Sequence, residues 1–362
     1  MTDPGKLELS VVWNGETVRD ATIKSTRPRA DRILKGRTPE EAAKLVPMLF
    51  SLCGKAQGEA ATAAMTVAQG GEPTQLPDRA VSCEAMQEHL WRLLLDWTAL
   101  LGLPQQQAIF ARWHTALNTL AAGAGDAKAL SEDLHQTLTG MTHTAWAQLD
   151  SHAALLEWSK AGHGLCAPMI AALDAQESAR EQDGGDLCEL LAEKSAAETW
   201  RIGQFDAAFA AQPHYDGKPM ETGALARWQH EPLLRDILQQ RKSRLLARLV
   251  ARLHDLLDSV EKLAREETAQ RIQWFATETN SGLALVHTAR GVLMHHARVE
   301  RGYVAEYCIV APTEWNFHPR GAWRAGLMNL RARDAAHVRE AAQCLVLSLD
   351  PCVEYTLEVH HA

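Results

Sequence analysis

The chain has 362 residues, 46% of them hydrophobic, and a formal net charge of −8. That is enough apolar material for a substantial core, and the acidic balance argues against a nucleic-acid partner, whose phosphates call for a basic face. Seven cysteines, an odd number with no CxxC pair among them, argue against a disulfide framework and for reduced thiols in the cytoplasm.

The opening Met-Thr-Asp-Pro-Gly-Lys has no apolar segment behind a basic one, so no secretory signal is expected. The first predicted element is a β-hairpin: Leu7, Leu9 and Val11 alternate with polar residues, Asn14-Gly15 supplies a turn, and residues 18–23 return. A helix is predicted from near Thr38 to about Ala68, with Thr38 and Glu41 as a capping box and Gly54 interrupting it directly after Cys53. Gly70, Gly71 and Pro73 mark a loop. Met86, Leu90, Leu93, Trp97 and Leu100 recur at helical spacing until Gly102 and Pro104. Arg92 and Asp96 make this apolar stretch too charged to span a bilayer. Gly123-Ala124-Gly125-Asp126 lacks the Lys and Ser/Thr of a phosphate loop, and Asp183-Gly184-Gly185-Asp186 reads as a surface loop. A long amphipathic stripe runs from Leu234 to Leu263. Its opposite face carries Arg235, Arg241, Lys242, Arg244, Arg248 and Arg252 and reads as solvated. Strands are predicted at 283–286, 292–299 and 303–310, with Arg301-Gly302 as a turn, and a short apolar stretch, 344–349, follows. Ends rich in strand around a helical middle predict one α+β domain over residues 1–362, closed by pairing of its termini. Its parts are a hairpin and Cys53 helix (5–70), a helical middle (84–275) and a β-rich part (281–362).

Several separated stretches resemble, in order, the nickel–iron hydrogenase large subunit. Ile33-Leu34-Lys35-Gly36-Arg37 with Pro39 is similar to I-L-K-G-R-x-P, and Cys53-Gly54 to R-x-C-G-x-C. Tyr215-Asp216-Gly217-Lys218-Pro219-Met220-Glu221, with Gly223 and Leu225-Ala226-Arg227, is similar to Y-D-G-K-P-M-E-V-G-P-L-A-R. Ala289-Arg290-Gly291 with His295 resembles A-P-R-G-A-L-x-H, Pro312-Thr313-Glu314-Trp315-Asn316 resembles P-T-T-W-N, and Asp350-Pro351-Cys352 resembles D-P-C-x-x-C. Residues 101–211 carry no matching motif. The resemblance implies a hydrogenase-large-subunit-like fold.

In that family, four thiolates hold nickel and iron, two from each C-x-x-C, and two of them bridge the metals. Here Ala56 stands at the second cysteine of the first pair and Tyr355 at the second of the last. Ser51 replaces the arginine that opens the first motif, Glu358 replaces a histidine, and Pro4 stands at the proton-relay glutamate. Thiolates are the soft donors such a centre requires, so the resemblance implies no permanent nickel–iron centre and no hydrogen-splitting catalysis.

What remains is a partial ligand shell. The resemblance places Cys53 and Cys352 as metal ligands and Arg290 where the family aims a guanidinium at the iron's cyanide ligands. Asp350 becomes the carboxylate beside that arginine. Glu88, before His89, falls where the family has an Asp-His pair, and Asp31 falls where it has a carboxylate near a structural magnesium. The pattern resembles the HupK/HoxV-type hydrogenase accessory proteins. It implies a non-enzymatic scaffold for a transient iron–cyanide–carbonyl group. Its partners would be hydrogenase maturation proteins and the apo large subunit, with no nucleic acid and no membrane. The alternative is a cofactor-free chaperone that mimics the large subunit. The retained cysteines correspond to terminal nickel ligands, so an iron group on both would be displaced from its place in the enzyme, with Tyr355 as a candidate to fill the vacated space. Plainer readings stand beside these. Cys53 and Cys352 can be buried small hydrophobes, Arg290 can form a structural ion pair with Asp350, and His287 and His295 can be core histidines. A zinc site of Cys352, His360 and His361 matches no familiar spacing.

Overall fold

The structure, a computed structural model, describes residues 5–50, 52–73, 78–179, 187–191, 205–240 and 243–362. Pro4, Ser51, the glycine loop at 183–186, Arg241 and Lys242 lie outside them. Its strands are β1 (Lys6–Trp13), β2 (Val18–Ser25), the two-residue β3 (Glu189–Leu190) and β4 (Met220–Glu221), β5 (Ile272–Ala276), β6 (Ser281–Thr288), β7 (Gly291–Glu300), β8 (Tyr303–Val310) and β9 (Glu354–His361).

β1 lies between β2, antiparallel, and β9, parallel, so the two chain ends share one sheet. Leu7, Leu9 and Val11 point into the core, as their alternation predicts. The hairpin loop runs over residues 14–17, with the Asn14 N–H donating to the Thr17 carbonyl at 3.2 Å. The C-terminal strand is β9; the apolar stretch 344–349 is instead the end of the Ala335–Leu349 helix. A short run apolar on all sides carries no period, and here helix Leu245–Ala264 buries it.

The helix predicted over 38–68 is two helices, Pro39–Leu49, with the Thr38/Glu41 capping box in place, and Gly54–Ala68. The second folds back on the first, and a Cβ at Gly58 would sit 2.8 Å from Pro47 Cγ. Its Ala60, Ala61, Ala63, Ala64 and Ala68 are all buried. A Cβ on Gly282 of β6 would lie 2.2 Å from the Ala64 carbonyl oxygen. Small side chains therefore let helix and strand backbones touch, which fixes where the helix begins and so where Cys53 lies.

β5 to β8 form an antiparallel sheet in sequence order. β5 lies in the stretch assigned from sequence to the helical middle, which ends with helix Leu245–Ala264. β6 and β7 are buried on both faces. Ala284, Val286, Leu293 and Ala297 pack on the Gly54–Ala68 helix, while Leu283, Leu285 and Met294 pack with Met220 and Trp315. The largest core surrounds Leu245–Ala264. The stripe beginning at Leu234 divides into Pro232–Gln240 and this helix. Of its basic face, Arg235 is exposed as read, but Arg248 and Arg252 are 6% and 4% exposed, because Glu221 and Asp350 arrive from distant segments to pair with them. Among the described residues, no helix is long and apolar enough to cross a membrane.

Candidate functional site

Cys53 and Cys352 come from opposite chain ends and meet at the same pair of arginines. Cys53 is the residue before helix Gly54–Ala68, and Cys352 lies between helix Ala335–Leu349 and β9. Burial, then the nearby Cys352 and Glu84, push the Cys53 thiol up to about 12. Burial works against the charges of Arg27 and Arg290. Glu314 for Arg27, Asp350 and Glu88 for Arg290, and both cysteines outweigh it, so both guanidiniums are held above their ordinary range.

Each thiol is held by a neighbour. The Gln57 side-chain amide donates to Cys53 Sγ at 3.6 Å, and Gln57 Oε1 lies 2.8 Å from His295 Nε2. An amide oxygen only accepts, so His295 carries its proton on Nε2, and Nδ1 accepts from the Tyr307 hydroxyl at 2.6 Å. Burial pushes His295 down to about 3, which keeps it neutral. It is the satisfied core histidine of the plain reading, and it also steers Gln57 onto Cys53. On the other side, Thr313 Oγ1 accepts from the Cys352 N–H at 3.2 Å and lies 3.2 Å from its Sγ.

Asn316, in the same Pro312–Asn316 helix as Thr313, ties the motif segments together. Its Oδ1 accepts from the Thr222 N–H at 2.9 Å, and its Nδ2 donates to the Arg290 carbonyl at 3.3 Å and the Leu349 carbonyl at 3.4 Å. Gly291 (φ 131°) permits a close approach to the same segment: a Cβ there would lie 2.4 Å from Thr222 Cγ2.

Asp350 caps helix Ala335–Leu349 in the left-handed region (φ 55°), which Asp tolerates better than most residues. Its carboxylate lies 2.7 Å from Arg92, 3.3 Å from Arg290 Nε and 3.5 Å from Arg252. Burial opposes its charge, but Arg290, Arg92 and Arg252 hold its carboxyl well below the usual range. Arg290 also binds Glu88 at 2.5 Å, so Glu88 reaches the site, while its neighbour His89 turns inward to Asp255 at 2.9 Å. Among the described residues, several buried donors stay unmet: Arg290 Nε, in ion-pair range of Asp350, makes no hydrogen bond, nor do Arg252 Nε and Nη1. Arg92 and Asp96, paired with each other, bracket a π-turn, Arg92–Asp96, an irregularity frequent at functional sites.

An open cleft of about 760 Å³ is lined by Arg92, Asp96, Asp350, Cys352 and Tyr355, among others. Tyr355, 38% exposed, lies on this wall rather than packed between the cysteines. Ala56, at the other missing thiolate, is fully buried. Asp31 does not join the cluster; Arg29 on the same turn takes its carboxylate. His360 pairs with Glu358 and His361 packs on Trp13, six to seven strand residues beyond Glu354, roughly 20 Å along β9, so the zinc set is not assembled.

Sequence reasoning overlooked Arg27, Gln57, Glu84 and Arg252. Glu84 accepts from the Lys55 and Ala56 N–H groups at 2.7 and 3.0 Å, at the start of the Cys53 helix, and burial still pushes it up to about 7. None of the four stands in a quoted motif. Thr313 and Asn316 do, and that was the available signal for them.

A family model described as "Nickel-dependent hydrogenase" matches residues 232–357. The fold is similar to the reduced, active Ni-Fe-Se hydrogenase of Desulfomicrobium baculatum (TM-score 0.53, 17% identity, 94% of each chain). It is also similar to the as-isolated oxidised enzyme of D. vulgaris Hildenborough (TM-score 0.55, 15% identity, 94% of each chain). The architecture is therefore that of the hydrogenase large subunit. Sequence relatives run nearly end to end. "Hydrogenase expression/formation protein HoxV" of Cupriavidus necator is 30% identical over 93% of this chain and 92% of its own. "Hydrogenase expression/formation protein HupK" of Rhizobium leguminosarum bv. viciae is 31% identical over 99% and 97%, and that of Azotobacter vinelandii 28% over 99% of each. With 30% identity or more sustained over whole chains, this protein belongs to the HupK/HoxV family of hydrogenase expression/formation proteins.

Proposed function

We propose that this chain is a non-catalytic carrier in hydrogenase formation, holding an iron–cyanide–carbonyl group as cargo at Cys53 and Cys352 before it passes to the apo large subunit. The observation that carries this reading is the convergence of two thiols from opposite chain ends on the buried Arg290, beside an open cleft. Thiolates suit a soft iron group. Planar guanidiniums with unmet N–H donors, Arg290 Nε and Arg252 Nε and Nη1, suit anionic diatomic ligands. Asp350 and Glu88 orient Arg290. With Ala56 and Tyr355 at the bridging positions, no donor set for two metals exists, so hydrogen turnover is not part of the reading. The partners implied are other hydrogenase maturation proteins and the apo large subunit, in the cytoplasm.

One observation favours the rival, a cofactor-free mimic of the large subunit: a Cys53 thiol pushed up to about 12 is neutral and behaves as a small apolar side chain. The two readings part in the infrared. Protein purified without air from cells making hydrogenase shows cyanide and carbonyl stretching bands if it carries the cargo, and these bands vanish in Cys53→Ala and Cys352→Ala. Their absence from the parent protein leaves the mimic.

A further inference from the structure

The helical block holds a second donor cluster, with two of its three residues in the stretch 101–211, where no enzyme motif was found. His135 lies in helix Ala127–Thr139, His143 opens the short turn His143–Trp146, and Glu261 lies near the end of Leu245–Ala264. One donor atom from each lies within 4.8 Å of the other two. We infer that His135, His143 and Glu261 form a binding site for a divalent first-row transition cation, with zinc, nickel or cobalt(II) as the class.

The independent sign of a ligand is His135 itself. Its side chain belongs to a residue only 2% exposed, and among the described residues neither ring nitrogen has a hydrogen-bond partner. A neutral imidazole is both donor and acceptor, and buried polar atoms of either kind are ordinarily paired. The His143 ring packs edge-to-face with it, centroids 5.2 Å apart and planes at 82°, which brings imidazole to imidazole without satisfying either nitrogen of His135.

The surrounding residues fit this role. Ser131, one helical turn before His135, donates to Glu261 Oε2 at 2.8 Å and fixes the carboxylate's direction, as outer-shell groups do around metals. Arg265 pairs with the other oxygen at 2.8 Å, but its side chain is 52% exposed, so a cation can displace it into solvent. Metal–nitrogen distances of about 2.0–2.1 Å require donors roughly 3.3 Å apart, so the three side chains close inward by about 1 Å on binding. Two imidazoles and one carboxylate, without thiolate, disfavour copper(I) and equally the oxygen-only sites of magnesium and calcium. His143 and Glu261 are half-buried, which leaves a solvent-facing position for water or another ligand.

The test uses the full chain, stripped with chelator, carrying Cys53→Ser and Cys352→Ser so that the thiol site is removed. Zn²⁺ is titrated against a chromophoric competitor, and Co²⁺ is followed by its visible ligand-field bands. The expected result is one equivalent bound with Kd below about 10 µM. His143→Ala and Glu261→Gln each weaken binding at least tenfold while far-UV circular dichroism is unchanged. His135→Leu abolishes the Zn²⁺-dependent rise in Tm, and without metal this variant is no less stable than its parent, since it removes an unpaired polar ring. No site of that affinity in the double-serine protein, or less than a tenfold loss in His143→Ala and Glu261→Gln, overturns the inference.

Discussion

Two buried carboxylates, Asp255 and Asp350, each collect cations in this protein, and they are built for different ends. Asp255 receives Trp228 Nε1 at 2.8 Å, His89 at 2.9 Å and Arg271 at 2.8 Å, with Arg227 at 3.6 Å. Its arginines reach onward to backbone: Arg271 to the His287 carbonyl at 3.0 Å and Arg227 to the Ala269 carbonyl at 2.8 Å. The cluster fastens the segment leading into β5 and β6 onto helix Leu245–Ala264. Asp350 is reached by Arg92, Arg252 and Arg290, whose side-chain hydrogen bonds, among the described residues, go only to carboxylates, and it lines a cleft that also holds Cys352. Arginines that reach on from the carboxylate to backbone carbonyls mark a structural clasp. Arginines held by carboxylates alone, beside a thiol and an opening, are the pattern expected where a ligand is to be received.

The sharpest break of this comparison is functional. Cys53→Ala, Cys352→Ala and Asp350→Asn are expected to abolish formation of active hydrogenase in cells, with each variant's abundance unchanged by blot. Asp255→Asn is expected to act only through the amount of folded protein. If Asp350→Asn supports hydrogenase formation at the parent level, the distinction between the clusters is wrong.

Stability should rank the other way. Asp255→Asn strands the fully buried Arg271 and loosens Arg227, and is expected to cost about 3–5 kcal/mol, measured by urea unfolding. Asp350→Asn keeps the left-handed backbone that Asn also accepts, and Arg92, 20% exposed, can hydrate through the cleft, so its cost is expected to be about 1–2 kcal/mol. Equal costs would mean that the cleft does not relieve the arginines.

Arg290→Lys should be milder for the fold still. A lysine can keep one ion pair, with Asp350 or Glu88, but not both together with an aimed N–H fork. The expected outcome is a shift in urea midpoint corresponding to about 1 kcal/mol, with infrared bands of any bound cyanide lost or displaced. Bands unchanged in position and intensity would remove Arg290 from the cargo site.

How far this could be read beforehand depends on sequence separation. The strands at 281–310, the hairpin and the capping box at Thr38 are local patterns, and they were legible. The convergence of Cys53, Arg290, Asp350 and Cys352 was legible only because motifs resembling one known site recur in order. Arg248 and Arg252 were misread as solvated because helical periodicity separates a polar face from an apolar one but cannot announce that Glu221 and Asp350 will cover it. β9 was missed for a related reason: Tyr355, Leu357 and Val359 alternate, but on a strand exposed over most of its length, and the more apolar 344–349 drew attention away. His135, His143 and Glu261 lie up to 126 residues apart and join no motif, so only the packed helices bring them together.

The smallest effect expected is at Glu84, and it reports on the cysteine side of the comparison. Burial pushes this carboxyl up to about 7, against the two N–H groups it caps. Between the ordinary glutamate value and about 7, the folded protein binds more protons here than the unfolded chain, so stability falls as pH rises through that window and levels off above it. Glu84 is half-buried, and solvent reduces the size of this contribution to less than about 1 kcal/mol. In Glu84→Gln the contribution disappears. The difference between parent and variant, measured by urea unfolding from pH 4.5 to 8, should therefore move in favour of the variant as pH rises. The difference is the right quantity, because buried neutral His287 and His295 add an opposite slope to both proteins. A second consequence follows at the thiol: Glu84 is among the groups that push Cys53 up, so its neutralisation should speed Cys53 alkylation at mildly alkaline pH in otherwise cysteine-matched proteins. A flat stability difference with unchanged alkylation would mean that Glu84 stays neutral throughout, or that water reaches it freely, and in either case it exerts no charge on Cys53.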